Sequence, residues 1–164
     1  MSKASICLWF DGLAEDAANF YTATFPDTRV GAVLRAPGDY LDGKEGQVLT
    51  VEFTLLGTSA LGLNGGPHVK FNEAISIQVR TDDQAETDRL WTAITSGGGA
   101  ESRCGWCKDR FGLSWQVTPR RLTELMADPD KTRSKRVFTA MMGMKKIDIA
   151  ALETAATDSE VAHA

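Results

Sequence analysis

Histidine is almost missing from this chain: His68 and His163 are the two in 164 residues. A metal centre of the two-histidine, one-carboxylate kind needs imidazoles converging on one point, because those ligands fix the geometry and leave open positions. With His163 in the terminal tail and His68 in the loop "NGGPHVKFNEA", no such centre can be assembled. Cysteine is also sparse. Cys7, Cys104 and Cys107 form an odd set without the spacing of a secreted disulfide framework, which favours reduced thiols. A long apolar run is lacking too. The stretch "ASICLWF", residues 4–10, is too short for a membrane span or a signal h-region, so a cytoplasmic protein with no membrane partner is expected. Nor is there a basic surplus: the formal charge of -4 and pI near 5.2 argue against nucleic acid and anionic membranes. Small molecules are left as the expected partner.

What is present is a repeat. In "ICLWF" the residues Ile6, Leu8 and Phe10 alternate with Cys7 and Trp9, the period of a strand packed on one face. "GLAEDAANFYTATFP" then carries Leu13, Ala17, Phe20, Tyr21 and Phe25 at helical spacing and stops at Pro26. "RVGAVLRA", "QVLTVEFTLL" and "SALGLN" follow as strands, the last two joined at Gly57. The second half begins alike. "AISIQV" places Ile75, Ile77 and Val79 on one face, and "DDQAETDRLWTAITS" reads as a helix capped by Asp82 or Asp83. At a fixed offset Tyr21, Thr22 and Ala23 overlie Trp91, Thr92 and Ala93, and "FGLSWQV" supplies the closing strand. The implied architecture is α+β: two tandem βαβββ modules, about 4–66 and 73–119, forming a domain over 1–119. Beyond Pro119 the pattern predicts a helical extension over 120–156, then a tail over 157–164.

The stretches "LWFDGLAEDAANFYTATFPD", "GQVLTVEF", "LGLNGGPHVKFNEAISIQV", "DDQAETDRLW" and "GWCKDRFGLSWQVTP" resemble the PhnB-like branch of the vicinal oxygen chelate superfamily. That superfamily includes glyoxalase I, extradiol dioxygenases and bleomycin-resistance proteins, and the branch often carries the name 3-demethylubiquinone methyltransferase. The resemblance implies a curled mixed-sheet cup with helices outside, often completed by a homodimer. It also implies a divalent metal on first and last strands of the modules. The matching positions here are Ser76, Gln116 and Cys7 or Ile6, none of which is a good ligand for a hard divalent ion. The expectation is therefore no metal and no cofactor.

Cys104 and Cys107 form a lone C-x-x-C. A structural zinc site wants four ligands, and a redox dithiol wants its first cysteine at a helix N-terminus. In an extended strand, positions i and i+3 lie roughly 10 Å apart, too far for a disulfide. Half-buried thiols in a hairpin are the expected reading. Alternation then puts Phe111, Leu113, Trp115 and Val117 on a helix-facing side, and Cys7, Trp9, Ser76, Gln78, Ser114 and Gln116 on the cup side. Such a neutral, hydrogen-bonding face with an aromatic wall suits a small neutral or amphipathic organic ligand held by Trp9, Ser76, Gln78, Ser114 and Gln116. The alternative is an enzyme, a lyase, isomerase or dioxygenase-like member, with Glu52 as base or metal ligand, since a Glu buried in a strand has its pKa raised. Methyl transfer is disfavoured. Gly97–Gly99 follow a helix, and "LNGGP" runs into a loop, whereas a nucleotide-type glycine loop links a strand to a helix. "KTRSKR", Lys131 to Arg136, reads as a solvated helix face.

Overall fold

The structure, a computed structural model, describes residues 3–157. His163 and nearly all of the anticipated tail therefore lie outside the described residues. The elements in order are β1 (Ile6–Phe10), α1 (Ala14–Thr24), β2 (Arg29–Arg35), β3 (Val48–Leu55), β4 (Thr58–Asn64), β5 (Ile77–Thr81), α2 (Gln84–Thr95), β6 (Ala100–Glu101), β7 (Trp106–Lys108) and β8 (Ser114–Pro119). Three helices follow: α3 (Arg120–Met126), α4 (Lys131–Met142) and α5 (Ile149–Thr157). The strands divide into two four-stranded mixed sheets ordered β1-β4-β3-β2 and β5-β8-β7-β6. Each sheet pairs its first strand parallel to its last, and its remaining neighbours run antiparallel. The chain separates into two compact units, one up to Phe71 and one from Asn72, so the helical extension groups with the second module.

In the first unit α1 lies on one face of its sheet through Ala14, Ala17, Ala18 and Tyr21, all fully buried. Small residues let the helix come close. A side chain at Gly62 of β4 would meet the Ala14 methyl at 3.1 Å, and Tyr21 stacks on Phe53 of β3 with centroids 6.0 Å apart. Leu8, Phe10, Val51 and Phe53 complete that core. Asn64 ties helix to sheet: its Oδ1 accepts from the Ala14 amide at 3.0 Å and its Nδ2 donates to the Val48 carbonyl. One of the four amides that any helix start leaves unpaired is thereby satisfied.

In the second unit Asp83 caps α2 by accepting from the Glu86 amide at 2.8 Å. Leu90, Trp91 and Ile94 of that helix are buried, as are Val79, Trp115 and Val117 of the sheet and Leu113 just before β8. Full burial of side chains of this size is worth roughly 1.5–3 kcal/mol each. Asp109, itself buried, organises the β7–β8 turn. Its carboxylate accepts from the amides of Phe111 and Leu113 and from the Trp115 indole at 2.8 Å.

The strand anticipated as "AISIQV" starts later, at Ile77. Ile75 is 68% exposed and outside it, while Thr81 is buried at the other end, its hydroxyl 2.6 Å from that of Thr87 in α2. The three C-terminal helices build a core of their own from Leu122, Leu125, Val137, Ile147, Leu152 and Ala156. Two backbone bonds strap it to the β6–β7 turn, from the amides of Cys104 and Gly105 to the carbonyls of Met144 and Lys145. Arg136, anticipated on a solvated face, instead donates to the carbonyls of Ala155 and Ala156 at the end of α5. A cation is favourable there because unpaired carbonyls make a helix C-terminus negative. No helix among the described residues is long and apolar enough to cross a membrane.

Candidate functional site

Side chains on a strand alternate between faces, so the register assigns each residue of the second sheet to a side. Trp106 lies opposite Gln116 and Lys108 opposite Ser114, whereas Cys107 lies opposite the fully buried Trp115. Trp106, Lys108, Ser114 and Gln116 therefore share the face away from α2, and Gln78, beside Gln116 in β5, joins them. A pocket of about 250 Å³ opens there, lined by Glu73, Ser102, Trp106, Cys107, Lys108 and Ser114. Its volume corresponds to roughly eight waters.

Ser114 is the unusual member. It is 1% exposed, and among the described residues its Oγ is the buried side-chain polar atom left without a hydrogen-bond partner. Buried hydroxyls are nearly always paired, because an unpaired one forfeits its bonds to water with nothing in return. An orphan of this kind on a pocket wall points to a missing partner. Across the pocket the Lys108 Nζ meets Glu73 Oε1 at 2.5 Å. That contact is the main reason the Glu73 carboxyl is held below its ordinary value.

The sequence-derived site residues divide. Ser76, Gln78, Ser114 and Gln116 do come together on the second unit, but Gln116 spends its amide on Ser76 Oγ at 2.8 Å, and Gln78 is exposed and reaches Thr118 at 3.5 Å. Trp9 belongs to the first unit. Its indole donates to the Gly66 carbonyl at 2.8 Å, and its ring covers Gly65, where a Cβ would stand 2.2 Å away. Glu52 lies on the helix-free face of β3 and is exposed, so the burial that would have made it a base is not there. Leu61 and Leu63 share that face with Cys7 and Trp9, and so does the 55% exposed Leu34. The first sheet is thus more apolar than the neutral polar surface anticipated for it. Residues the sequence reading passed over are Trp106, Lys108 and Glu73.

The metal positions can be tested against these neighbours. Gln116 and Ser76 satisfy one another, and Cys7 offers a lone exposed thiol. His68 meets Asp42, at 3.1 Å, with its side chain 61% exposed. Among the described residues no three His, Cys, Asp or Glu side chains group as a metal ion would require. This donor set does not fit a divalent cation. The Cys107 thiol is pushed up to about 12, by burial first and by Asp109 and Glu101 after it, so it is no nucleophile at neutral pH. Cys104 sits in the left-handed region, at φ 57°, within the turn. A second hollow, about 420 Å³, lies in the first unit around Asp11, Asp16, Arg35, Tyr40, Asp42 and Gln47. It contains no buried polar side-chain atom lacking a partner among the described residues.

Against known proteins, a model of the 3-demethylubiquinone-9 3-methyltransferase family matches residues 2–118. No curated protein matches the sequence. Among solved structures, the PhnB protein of Bacillus cereus, provisionally described as a 3-demethylubiquinone-9 3-methyltransferase, is 29% identical. The match has a TM-score of 0.64 and covers 72% of this chain and 99% of that one. A Pseudomonas aeruginosa protein is 21% identical with a TM-score of 0.59, over 73% of this chain and 98% of its own. A glyoxylase/bleomycin resistance protein/dioxygenase domain from Frankia sp. EAN1pec is 12% identical with a TM-score of 0.44, over 73% and 91%. The helices α3–α5 lie beyond the residues that the family model spans.

Proposed function

The chain belongs to the 3-demethylubiquinone-9 3-methyltransferase family, in agreement with its likeness to a PhnB protein, and from that premise we propose that it binds a small neutral or amphipathic organic molecule without a metal, in the pocket of its second sheet. One observation carries this reading: the buried, unpartnered Ser114 hydroxyl on the pocket wall. A ligand acceptor or donor completes it, while Trp106 offers an aromatic surface beside it. The misfit of the metal positions supports the metal-free half of the proposal.

Methyl transfer, which the family's name suggests, has less support. Gly97 and Gly98 follow α2 as a turn with positive φ, and Gly65 and Gly66 follow β4 without leading into a helix. Neither run forms the strand-to-helix loop that cradles a nucleotide-like group. Calorimetric titration with S-adenosylmethionine tests this alternative; no heat of binding is expected.

The test of the main proposal is a fragment screen followed by amide and indole NMR. Shifts concentrated at Ser102, Trp106 and Ser114, and lost in Ser114→Ala, are expected. A screen that moves none of these residues, or metal analysis finding one tightly held zinc, nickel, manganese or iron per chain, would overturn it. We also take the protein to be a homodimer. The apolar side chains of Trp9, Leu61, Leu63 and Leu34 on one face of the first sheet support this. Sedimentation at micromolar concentration should then show a species heavier than the 17.8 kDa chain.

A further inference from the structure

The pocket holds more chemistry than a neutral ligand would use. Lys108 and Ser114 are directly opposed on antiparallel strands and both line the pocket, so an ammonium-bearing chain and an unpaired hydroxyl share one wall. Trp106 is two residues from Lys108 on the same face, about 7 Å along the strand at roughly 3.3–3.4 Å per residue. An aromatic plane at one end and a cation with a hydroxyl donor at the other make an elongated, one-ended polarity.

The cation end is already taken by a carboxylate. Glu73 reaches Lys108 at 2.5 Å from outside the sheet's strands, in the segment preceding β5, and its side chain remains 63% exposed. An exposed ion pair is weak, and a released Glu73 would return to water with little loss. A carboxylate held in addition by a buried hydroxyl and by ring contact has more to gain than Glu73 does.

Building on the reading of the pocket above, we propose that its ligand is a small aromatic carboxylate, for which Glu73 is an internal placeholder. The ligand's carboxylate displaces Glu73 from Lys108 and accepts from the Ser114 hydroxyl, while its ring lies against Trp106. A single lysine suits a monoanion, whereas a phosphate would call for more donors than line this pocket. The small volume, about 250 Å³, favours a single ring.

The experiment titrates benzoate, phenylacetate and cinnamate, each against its carboxamide, into the full chain at pH 7. Binding is read by calorimetry and by the Trp106 indole resonance. Carboxylates should bind about tenfold more tightly than their amides, the scale of one close charge pair. Glu73→Gln should raise the affinity of each carboxylate relative to its matching amide, because a competitor for Lys108 has been removed. Lys108→Gln should reduce each carboxylate to the level of its amide, with the amide spectrum outside the pocket preserved. Equal binding of acids and amides at the pocket residues, with Glu73→Gln without effect, would overturn this inference and leave the pocket reading standing. No response of Trp106 to any of the six probes would remove both.

Discussion

Replacing Ser114 with alanine should stabilise the protein, an unusual direction for a change at a buried position. The Oγ of Ser114 is enclosed and without a partner. By mutational measures an unpaired buried hydroxyl costs about 1–3 kcal/mol. Deleting it recovers that cost, less the dispersion contacts of one atom, on the order of a few tenths of a kcal/mol. A net gain of about 1 kcal/mol is expected. With a urea m-value of about 2 kcal/mol/M, the midpoint should rise by roughly 0.5 M at unchanged slope, and the melting temperature by about 2–4 °C. The assay is urea unfolding followed by tryptophan fluorescence and by circular dichroism. Ser102→Ala, at an exposed position on the same pocket, serves as the control and should stay within about 0.5 kcal/mol of the parent. A loss of 1 kcal/mol or more on Ser114→Ala would mean that the hydroxyl is paired in the folded protein. The case for a ligand at that hydroxyl would then fall.

Other expectations rest on other parts of the molecule. Asp109→Ala removes the acceptor of two amides and of the buried Trp115 indole, and should cost about 3–5 kcal/mol by urea titration; a cost below 1 kcal/mol would show that the turn holds itself. Cys107, whose thiol is raised to about 12, should resist iodoacetamide at pH 8 until the protein unfolds, as peptide mass spectrometry would show. Glu101 is held below its ordinary value of 4.5 by the Trp91 indole first and Lys145 next. Its contribution to stability is complete above the unfolded value and is lost as pH falls through the lower folded one. A carboxyl NMR titration should find the Glu101 midpoint depressed in the parent and higher in Trp91→Phe, and an unmoved midpoint would refute the assignment.

The architecture was legible because both halves repeat one pattern of periods, and because turns such as Gly57, at φ 77°, announce themselves. Faces were harder. In "SALGLN" hydrophobicity alone would bury the leucines, yet Ala60 and Gly62 face the core, because α1 approaches too closely for anything larger. Thr81 escaped notice for a related reason: a hydroxyl becomes a core residue once Thr87 pairs with it, and no hydropathy pattern records that. On the second sheet, alternation along a single strand places Ser114 and Gln116 on one face. It does not place Trp106, Lys108 and Glu73, since their placement depends on the register between β7 and β8 and on an ion pair to a residue outside the sheet. The C-x-x-C spacing drew attention to its cysteines, while the residue between them that lines the pocket is Trp106.

Gly105 bears on how the polypeptide can be shortened. Its φ is 80°, its amide is donated to Lys145, and a methyl group there would press on the Val117 carbonyl at 2.7 Å and on Ile147 at 3.2 Å. Trimming the molecule at Pro119 would strip two amide donors of their acceptors and leave that gap unfilled, directly behind the hairpin that carries Trp106. The C-terminal helices thus serve as a buttress to that hairpin, and a cropped version should loosen there first.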